Sequence, residues 1–468
     1  MLVPRVDAGF SPDALVDLDA GFEDAGFETD TGFETDAGSS TTTPPSLDET
    51  IARLIQEQDD PPRAMTAPDP VSDQAYELGR ALFFDPILSG PRDIACASCH
   101  NPDFGTSDGL SLTLGTGSIG SGPDRLNGTH PPFVPRHSMD LFNRGDREIN
   151  SLFWDGRVHQ TSSGTLTAPI PLPSGLDSPL AAQALFPLLD RLEMRGEHNA
   201  SSSTVSDNEL AAFDDSQANE IWAAITARLI AVPEYSRLFA EAYPNVAQVN
   251  INITHAVNAL AAFQTRAFAA TNTPWDNYLR GDLNALSQAQ KLGAIFFFDS
   301  AKCGSCHSGA LLSDQEFHNT AVPQIGSGMP GTEPYDYGRA EASAQETERF
   351  KFRTPPLRNV MHTAPYMHNG SLVDLQDVLK HYASPLDTAK DYDGMKLVEE
   401  LRITIQTSTT NIEALTSSVS EKVLVTADGT SFIGLSNLRQ FMIALSDPGI
   451  VNLSDIRPAQ VPSGLTVP

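Results

Sequence analysis

All four cysteines of the 468-residue chain lie in two copies of one pentapeptide, Cys96-Ala97-Ser98-Cys99-His100 and Cys303-Gly304-Ser305-Cys306-His307. This pattern suits covalent attachment of c-type haem. Two thiols at that spacing meet the two haem vinyl groups, and the adjacent histidine becomes the proximal ligand of the iron. Other readings fit less well. A thiol redox pair does not need the histidine and expects a βαβ context that the flanks lack. A zinc site wants its ligands clustered, and the two motifs stand 207 positions apart, although folding can unite distant ligands. Structural disulfides do not need two matching pentapeptides. The residues predict two covalent haems, one on Cys96, Cys99 and His100, the other on Cys303, Cys306 and His307.

Each motif needs an element in front of it, and the chain supplies the same one twice. Leu78-Gly79-Arg80-Ala81-Leu82-Phe83-Phe84-Asp85 precedes the first motif, and Leu292-Gly293-Ala294-Ile295-Phe296-Phe297-Phe298-Asp299 precedes the second. Leu, Gly, Phe, Phe and Asp recur at identical offsets on segments with helical spacing of apolar residues. The second opens on a Ser287-x-x-Gln290 capping box. A repeated helix with a repeated motif implies two homologous haem domains. Between them, 218–243 and 252–270 read as amphipathic helices, the first interrupted at Pro233. Trp275-Asp276-Asn277-Tyr278 leads into the second domain, and 435–445 reads as a last packing helix. The expected fold is all-α: two cytochrome c-like haem domains with long loops, over 51–270 and 271–468.

Residues 1–50 differ in kind. They repeat Asp7-Ala8-Gly9-Phe10, Asp19-Ala20-Gly21-Phe22, Asp24-Ala25-Gly26-Phe27 and Asp30-Thr31-Gly32-Phe33, then turn to Ser, Thr and Pro. Such a segment cannot bury enough apolar surface to offset its ordering entropy, so it reads as a disordered acidic tether. The whole chain carries 60 acidic and 30 basic residues, a formal charge of −30, which argues against nucleic acid and anionic membranes as partners. No apolar run is long enough to span a membrane. Haem attachment of this kind occurs outside the bacterial cytoplasm, so a periplasmic or exported protein is expected. The opening Met1-Leu2-Val3-Pro4-Arg5 shows no apolar core of an export signal.

Further motifs follow the pentapeptides. They are Asp108-Gly109-Leu110, Phe153-Trp154-Asp155-Gly156-Arg157, and Gln183-Ala184-Leu185-Phe186-Pro187 with Glu193-Met194. After the second haem motif come Phe352-Arg353-Thr354-Pro355-Pro356-Leu357-Arg358-Asn359 and Thr363-Ala364-Pro365-Tyr366-Met367-His368-Asn369-Gly370. In these the chain resembles the bacterial di-haem cytochrome c peroxidase/MauG family, from about position 78 to position 448. The resemblance implies that the first haem is the peroxide site and that the second receives or stores oxidising equivalents. It places Glu193 as the catalytic glutamate that moves a proton between the peroxide oxygens so that water can leave. Gln183, ten positions earlier, would orient the peroxide, and Pro187 would line the same pocket. Trp154 would stand between the haems as a relay, where its residue type alone reads as a packed core tryptophan. One departure is an insertion: 28 residues separate Trp154 from Gln183, with Pro169, Pro171 and Pro173 among them. It is expected to reshape access to the peroxide haem.

The resemblance also bears on metal ligation. In the family, the second haem takes its distal ligand 14 residues beyond the histidine that His368 matches, and that position here is Tyr382. Typical peroxidases have methionine there and MauG-type enzymes tyrosine. A phenolate is a hard anionic donor, whereas a thioether favours ferrous iron. His381, beside it, is the competing ligand. For the first haem, alignment forward from Asp108 points to Thr116 and an open iron, and alignment backward from Arg136-His137-Ser138 points to His130 as a distal ligand. Members also hold calcium between the domains. Thr363 and Pro365 match its carbonyl donors, and His137, a poor calcium ligand, stands at the side-chain position. His159, His198, His255, His318 and His362 read as surface or structurally satisfied residues, and Met194 and Met367 as packing.

The implied activity is peroxide-dependent oxidation with two haem c groups. Electrons would come from a small donor protein (a cytochrome c or a cupredoxin) or, in MauG-like fashion, from side chains of a partner protein. A rival of another class is a non-enzymatic di-haem electron-transfer cytochrome or a redox sensor, which leaves Gln183 and Glu193 without a role.

Overall fold

Side-chain caps set where the principal helices start. Ser46 and Glu49 form a reciprocal capping box ahead of the Leu47–Gln56 helix, Ser72 caps Asp73–Phe84, and Ser287 with Gln290 caps Gln288–Phe298. The computed structural model describes residues 44–126, 133–197, 208–429 and 432–468. The acidic Asp-x-Gly-Phe repeats lie outside the described residues. Residues 47–50, read as the end of the tether, instead open the first helix, because the Ser46 box closes its first turn. The break expected at Pro233 separates Ala218–Ile230 from Pro233–Ala242, with the proline in a first turn where its missing N–H costs nothing.

The duplicated helices explain their shared glycine. Asp73–Phe84 crosses the Ile253–Ala267 helix, and Gln288–Phe298 crosses Phe432–Ala444. A Cβ at Gly79 would stand 1.9 Å from the Ala259 carbonyl oxygen, and one at Gly293 would stand 2.1 Å from that of Asn437. Only glycine lets the backbones approach this closely. The shared Phe83 and Phe84, and Phe297 and Phe298, are buried beside each crossing.

The two largest hydrophobic cores among the described residues do not follow the chain order strictly. The first is built from residues between Met65 and Phe268, but it also takes Leu453 and Val461 from the C-terminal tail. The second runs from Trp275 to Leu445, but it takes Ile51 and Leu54 from the first helix. The tail is held polar-wise as well: Ser463 Oγ donates to Asp85 at 2.6 Å, and the buried Tyr235 hydroxyl donates to the same carboxylate at 2.8 Å.

The fold is helix-rich, with a modest departure from all-α. Ser151–Leu152, Val158–Gln160 and Leu166–Thr167 form a small antiparallel sheet, and Phe317–His318 pairs with Phe352–Arg353. The second and third strands of the first sheet lie within the proline-bearing insertion, whose Ile170, Leu172 and Leu176 pack on the first core. Among the described residues no helix is long and apolar enough to cross a membrane.

Candidate haem sites

Each pentapeptide lines a solvent-connected cavity. Cys96, Cys99 and His100 border one, and Cys303, Cys306 and His307 border the other. His100 Nδ1 meets the Thr106 carbonyl at 3.2 Å, and His307 Nδ1 meets the Leu312 carbonyl at 2.9 Å. Burial holds both rings in the neutral form. A neutral imidazole with Nδ1 engaged on a carbonyl presents Nε2 as a metal ligand. Burial and the neighbouring thiol push Cys96 and Cys303 up to about 12, the reverse of a reactive redox pair.

The cavities suit a group carrying carboxylates. Arg353 is buried on the wall of the second, donating to the carbonyls of Phe153 at 3.1 Å and Thr354 at 3.3 Å. Among the described residues it has no carboxylate in ion-pair contact, and burial together with Arg144 brings its pKa down to about 9. A haem propionate is the counter-charge this buried cation lacks. Thiols, imidazole and guanidinium together fit haem c.

In the first cavity, three chain segments fix Glu193. It sits on the short Arg191–Arg195 turn, where Asp190 accepts from the Leu192 and Glu193 amides at 2.8 and 3.0 Å. The Glu193 carbonyl accepts from the Thr116 amide at 2.9 Å, and Asp93 holds the Thr116 hydroxyl at 2.9 Å. A Cβ at Gly115 would fall 1.7 Å from the Leu192 carbonyl oxygen, so this approach also needs glycine. Burial, then the charge of Asp190, raises the Glu193 carboxyl to about 8, against the pull of Arg157 and Arg136. Gln183, at the end of the Pro179–Gln183 helix, and Pro187 line the same cavity. Thr116 does not line it, because its hydroxyl is turned to Asp93. His130 and His198 lie outside the described residues. Of the insertion expected to reshape access, Arg157 and Leu180 near its two ends line this cavity, and residues 158–179 do not. Met329 and Pro330 of the second half reach it instead.

Trp154, His137 and Met139 line both cavities. Trp154 Nε1 donates to the His137 carbonyl at 3.1 Å, which fixes the indole in the wall between them. Beside it the buried Arg136 joins the two halves, with Nη1 on Asp155 at 2.5 Å and Nε on Asp336 at 2.6 Å. His137 has both ring nitrogens engaged, Nδ1 with the Leu110 carbonyl at 2.9 Å and Nε2 with Ser107 Oγ at 3.4 Å. Thr363 and Pro365 lie on the second cavity, and Thr363 Oγ1 donates to the Val360 carbonyl. Calcium takes six to eight oxygens, and a histidine so engaged adds none to the two carbonyls expected at Thr363 and Pro365.

The Leu375–Ala383 helix separates the two candidate distal ligands of the second cavity. Tyr382 lines it, whereas His381 is buried away from it with Nε2 on the Thr320 carbonyl at 2.7 Å. Burial and the Cys306 and Cys303 sulfurs raise the Tyr382 phenol above its usual range. A metal ion at the phenol oxygen reverses that tendency.

Sequence reasoning missed several lining residues. His318, read as surface or structural, lines the second cavity, half-buried, 3.0 Å from Asp314. Burial opposes its charge, yet Asp314 and the Cys306 sulfur carry it up to about 9. His368 lies there too, stacked on Phe352 with ring centroids 3.6 Å apart. Arg353 and His368 stood inside quoted motifs without a role, and His318 and Met329 carried no local signal.

A family model described as di-haem cytochrome c peroxidase matches residues 73–284. The methylamine utilization protein MauG of Methylorubrum extorquens is 30% identical over 314 residues, covering 67% of this chain and 70% of that protein. The cytochrome c551 peroxidase of Pseudomonas aeruginosa is 28% identical over 312 residues, covering 66% and 72%. In fold, the chain is similar to a MauG-like protein associated with microbial copper homeostasis, with a TM-score of 0.56, 24% identity and coverage of 83% and 95%. It is also similar to the diheme peroxidase BthA of Burkholderia thailandensis, with a TM-score of 0.52, 20% identity and coverage of 84% and 94%.

Proposed function

The chain belongs to the di-haem cytochrome c peroxidase family, a group of peroxidase-type redox enzymes that imply two c-type haems, and on that premise we propose that it reduces hydrogen peroxide in the Cys96/Cys99 cavity. The observation that carries this is the convergence of Glu193, Gln183 and Pro187 on the cavity that holds His100. Bound haem supplies the iron to which peroxide binds and the electrons that cleave its O–O bond. The protein handles the proton. Ionised, Glu193 takes it from the near peroxide oxygen and, as the acid, delivers it to the far one, so that water leaves. The Gln183 amide holds the peroxide in line. Trp154, on the wall common to both cavities, is the path for charge between them.

In the second cavity His307 and Tyr382 would hold the other haem, which would supply storage for oxidising equivalents. Two haem domains meet across the Trp154 and Arg136 wall, and an exported protein with this chemistry takes electrons from a small redox protein. A MauG-like reading, in which a partner protein's side chains are oxidised, is favoured by one observation: Tyr382 faces the cavity and His381 does not.

Stopped-flow absorption with EPR on the fully oxidised di-haem protein tests both. Rapid loss of a high-spin ferric signal with one equivalent of peroxide supports an open first haem and MauG-like chemistry. Two low-spin haems that react only after one is reduced indicate a peroxidase gated by reduction. Inertness in both redox states leaves an electron-transfer cytochrome.

A further inference from the structure

The second core holds a run of aromatic rings that peroxide chemistry does not use. Phe297, on the second cavity's wall, packs on Phe298 with centroids 4.9 Å apart and on Phe441 at 5.1 Å. Both touch Trp275, Phe298 at 5.9 Å and Phe441 at 5.0 Å. Trp275 in turn stacks on Tyr278, at 5.6 Å and an interplanar angle of 12°. The Tyr278 hydroxyl donates to Asp48 Oδ1 at 2.8 Å, and Lys291 pairs with that carboxylate at 2.7 Å. Tyr278 is 6% exposed and the Asp48 side chain 28%, so the run leads from the cavity wall to the surface layer.

Packing accounts for the rings but not for the phenol. Phenylalanine at 278 would stack on Trp275 equally well, whereas a hydroxyl bonded to a carboxylate gives a proton somewhere to go. Burial and Asp48 both hold the phenol protonated, so it gives up electron and proton together. Trp275 differs. Its Nε1 is buried without an acceptor, so the indole has no outlet for a proton and serves as a bridge.

We propose that Tyr278 is the exit relay of the second haem, the point at which oxidising equivalents meet an external electron donor. One electron leaves the Tyr278 ring, crosses Trp275 and the phenylalanine layer, and fills the oxidising equivalent that peroxide reduction leaves at the Cys303/Cys306 haem. The phenolic proton passes to Asp48 Oδ1. A neutral tyrosyl radical then stands beside a carboxylic acid, and one electron from the donor with return of the proton restores both. This inference rests on the peroxidase reading.

The test is freeze-quench EPR of the di-haem holoprotein with one equivalent of peroxide, with parallel mass-spectrometric mapping of adducts of the spin trap DMPO. Wild type should show a tyrosyl signal and an adduct on Tyr278. Tyr278→Phe should lose both while keeping its two haems and its melting temperature. Asp48→Asn, which keeps a hydrogen-bond acceptor but not the base, should lose most of the signal. Peroxide consumed without a tyrosyl signal in wild type, or a signal that survives Tyr278→Phe, overturns this inference and leaves the peroxidase reading standing. Peroxide that is not consumed overturns both.

Discussion

Around His100 the imidazole is oriented by the carbonyl of Thr106, and around His307 by the carbonyl of Leu312. In front of each motif a helix crosses its partner through a glycine, Gly79 in one core and Gly293 in the other. The repeated sequence builds the repeated structure. The opposite walls share nothing of this kind. One presents Glu193, with its carboxyl raised to about 8, beside Gln183, while the other presents the Tyr382 phenol and the cationic Arg353 and His318. Duplication thus supplies two cavities of one build, and the unduplicated segments line them differently. One wall presents a carboxyl of raised pKa, and the other a phenol among positive charges.

The most severe break of this asymmetry is Glu193→Gln. It should slow the peroxide step about 10²–10⁴-fold with both haems retained, measured by stopped flow. Unchanged kinetics would leave the first cavity with no distinct role. The pH dependence sharpens the point. A carboxyl raised to about 8 is protonated below that pH and ionised above it, so a base at Glu193 makes the wild-type rate climb as pH approaches about 8. The Gln variant should be flat there.

Tyr382→Met tests the other wall. It should raise the second haem's potential by on the order of 0.1 V, within the roughly 0.8 V that axial ligands command, and leave the first unchanged in a spectroscopic titration. Equal shifts at both haems would contradict the separation. Gly79→Ala and Gly293→Ala probe what the two halves share. Each should cost about 1–3 kcal/mol or more through overpacking at its crossing, read by thermal denaturation. A silent Gly293→Ala would mean that the second crossing is not built like the first. The smallest effect is expected from Asp93→Ala, which loosens the Thr116 support of Glu193. A loss of about 1 kcal/mol in positioning would lower the peroxide rate roughly fivefold without changing haem content.

Legibility in the sequence tracks how local each feature is. The pentapeptides and the Ser287 cap are spacing rules within one turn of chain; the Ser287 box caps Gln288–Phe298 as expected, and each pentapeptide lines a cavity. Glu193 and Gln183 were picked out through a resemblance, yet the reason Glu193 is held comes from Gly115, Thr116 and Asp93, 77 to 100 positions earlier. The count from His368 favoured Tyr382 over its neighbour His381, and the physical difference between them lies in the fold: Tyr382 lines the cavity while His381 is engaged with the Thr320 carbonyl. Met329 on the first cavity and Ile51 in the second core were hidden because each crosses from the other half of the chain. The small sheets escaped notice because their strands are two or three residues long, too short to show an alternation.

The exchange of chain ends between the two cores has a consequence for biosynthesis. The first pentapeptide is made early, yet Leu453 and Val461, which complete the core around it, are made last. The helix that enters first, Leu47–Gln56, waits for the Gln288–Phe298 helix before its apolar face is covered. Contacts of such long sequence separation form late and slowly. Covalent attachment at Cys96 and Cys99 before residues 453–461 are in place would meet a chain whose surrounding core is still open. A protein truncated before residue 453 should accordingly fail in its N-terminal half, far along the chain from the missing residues.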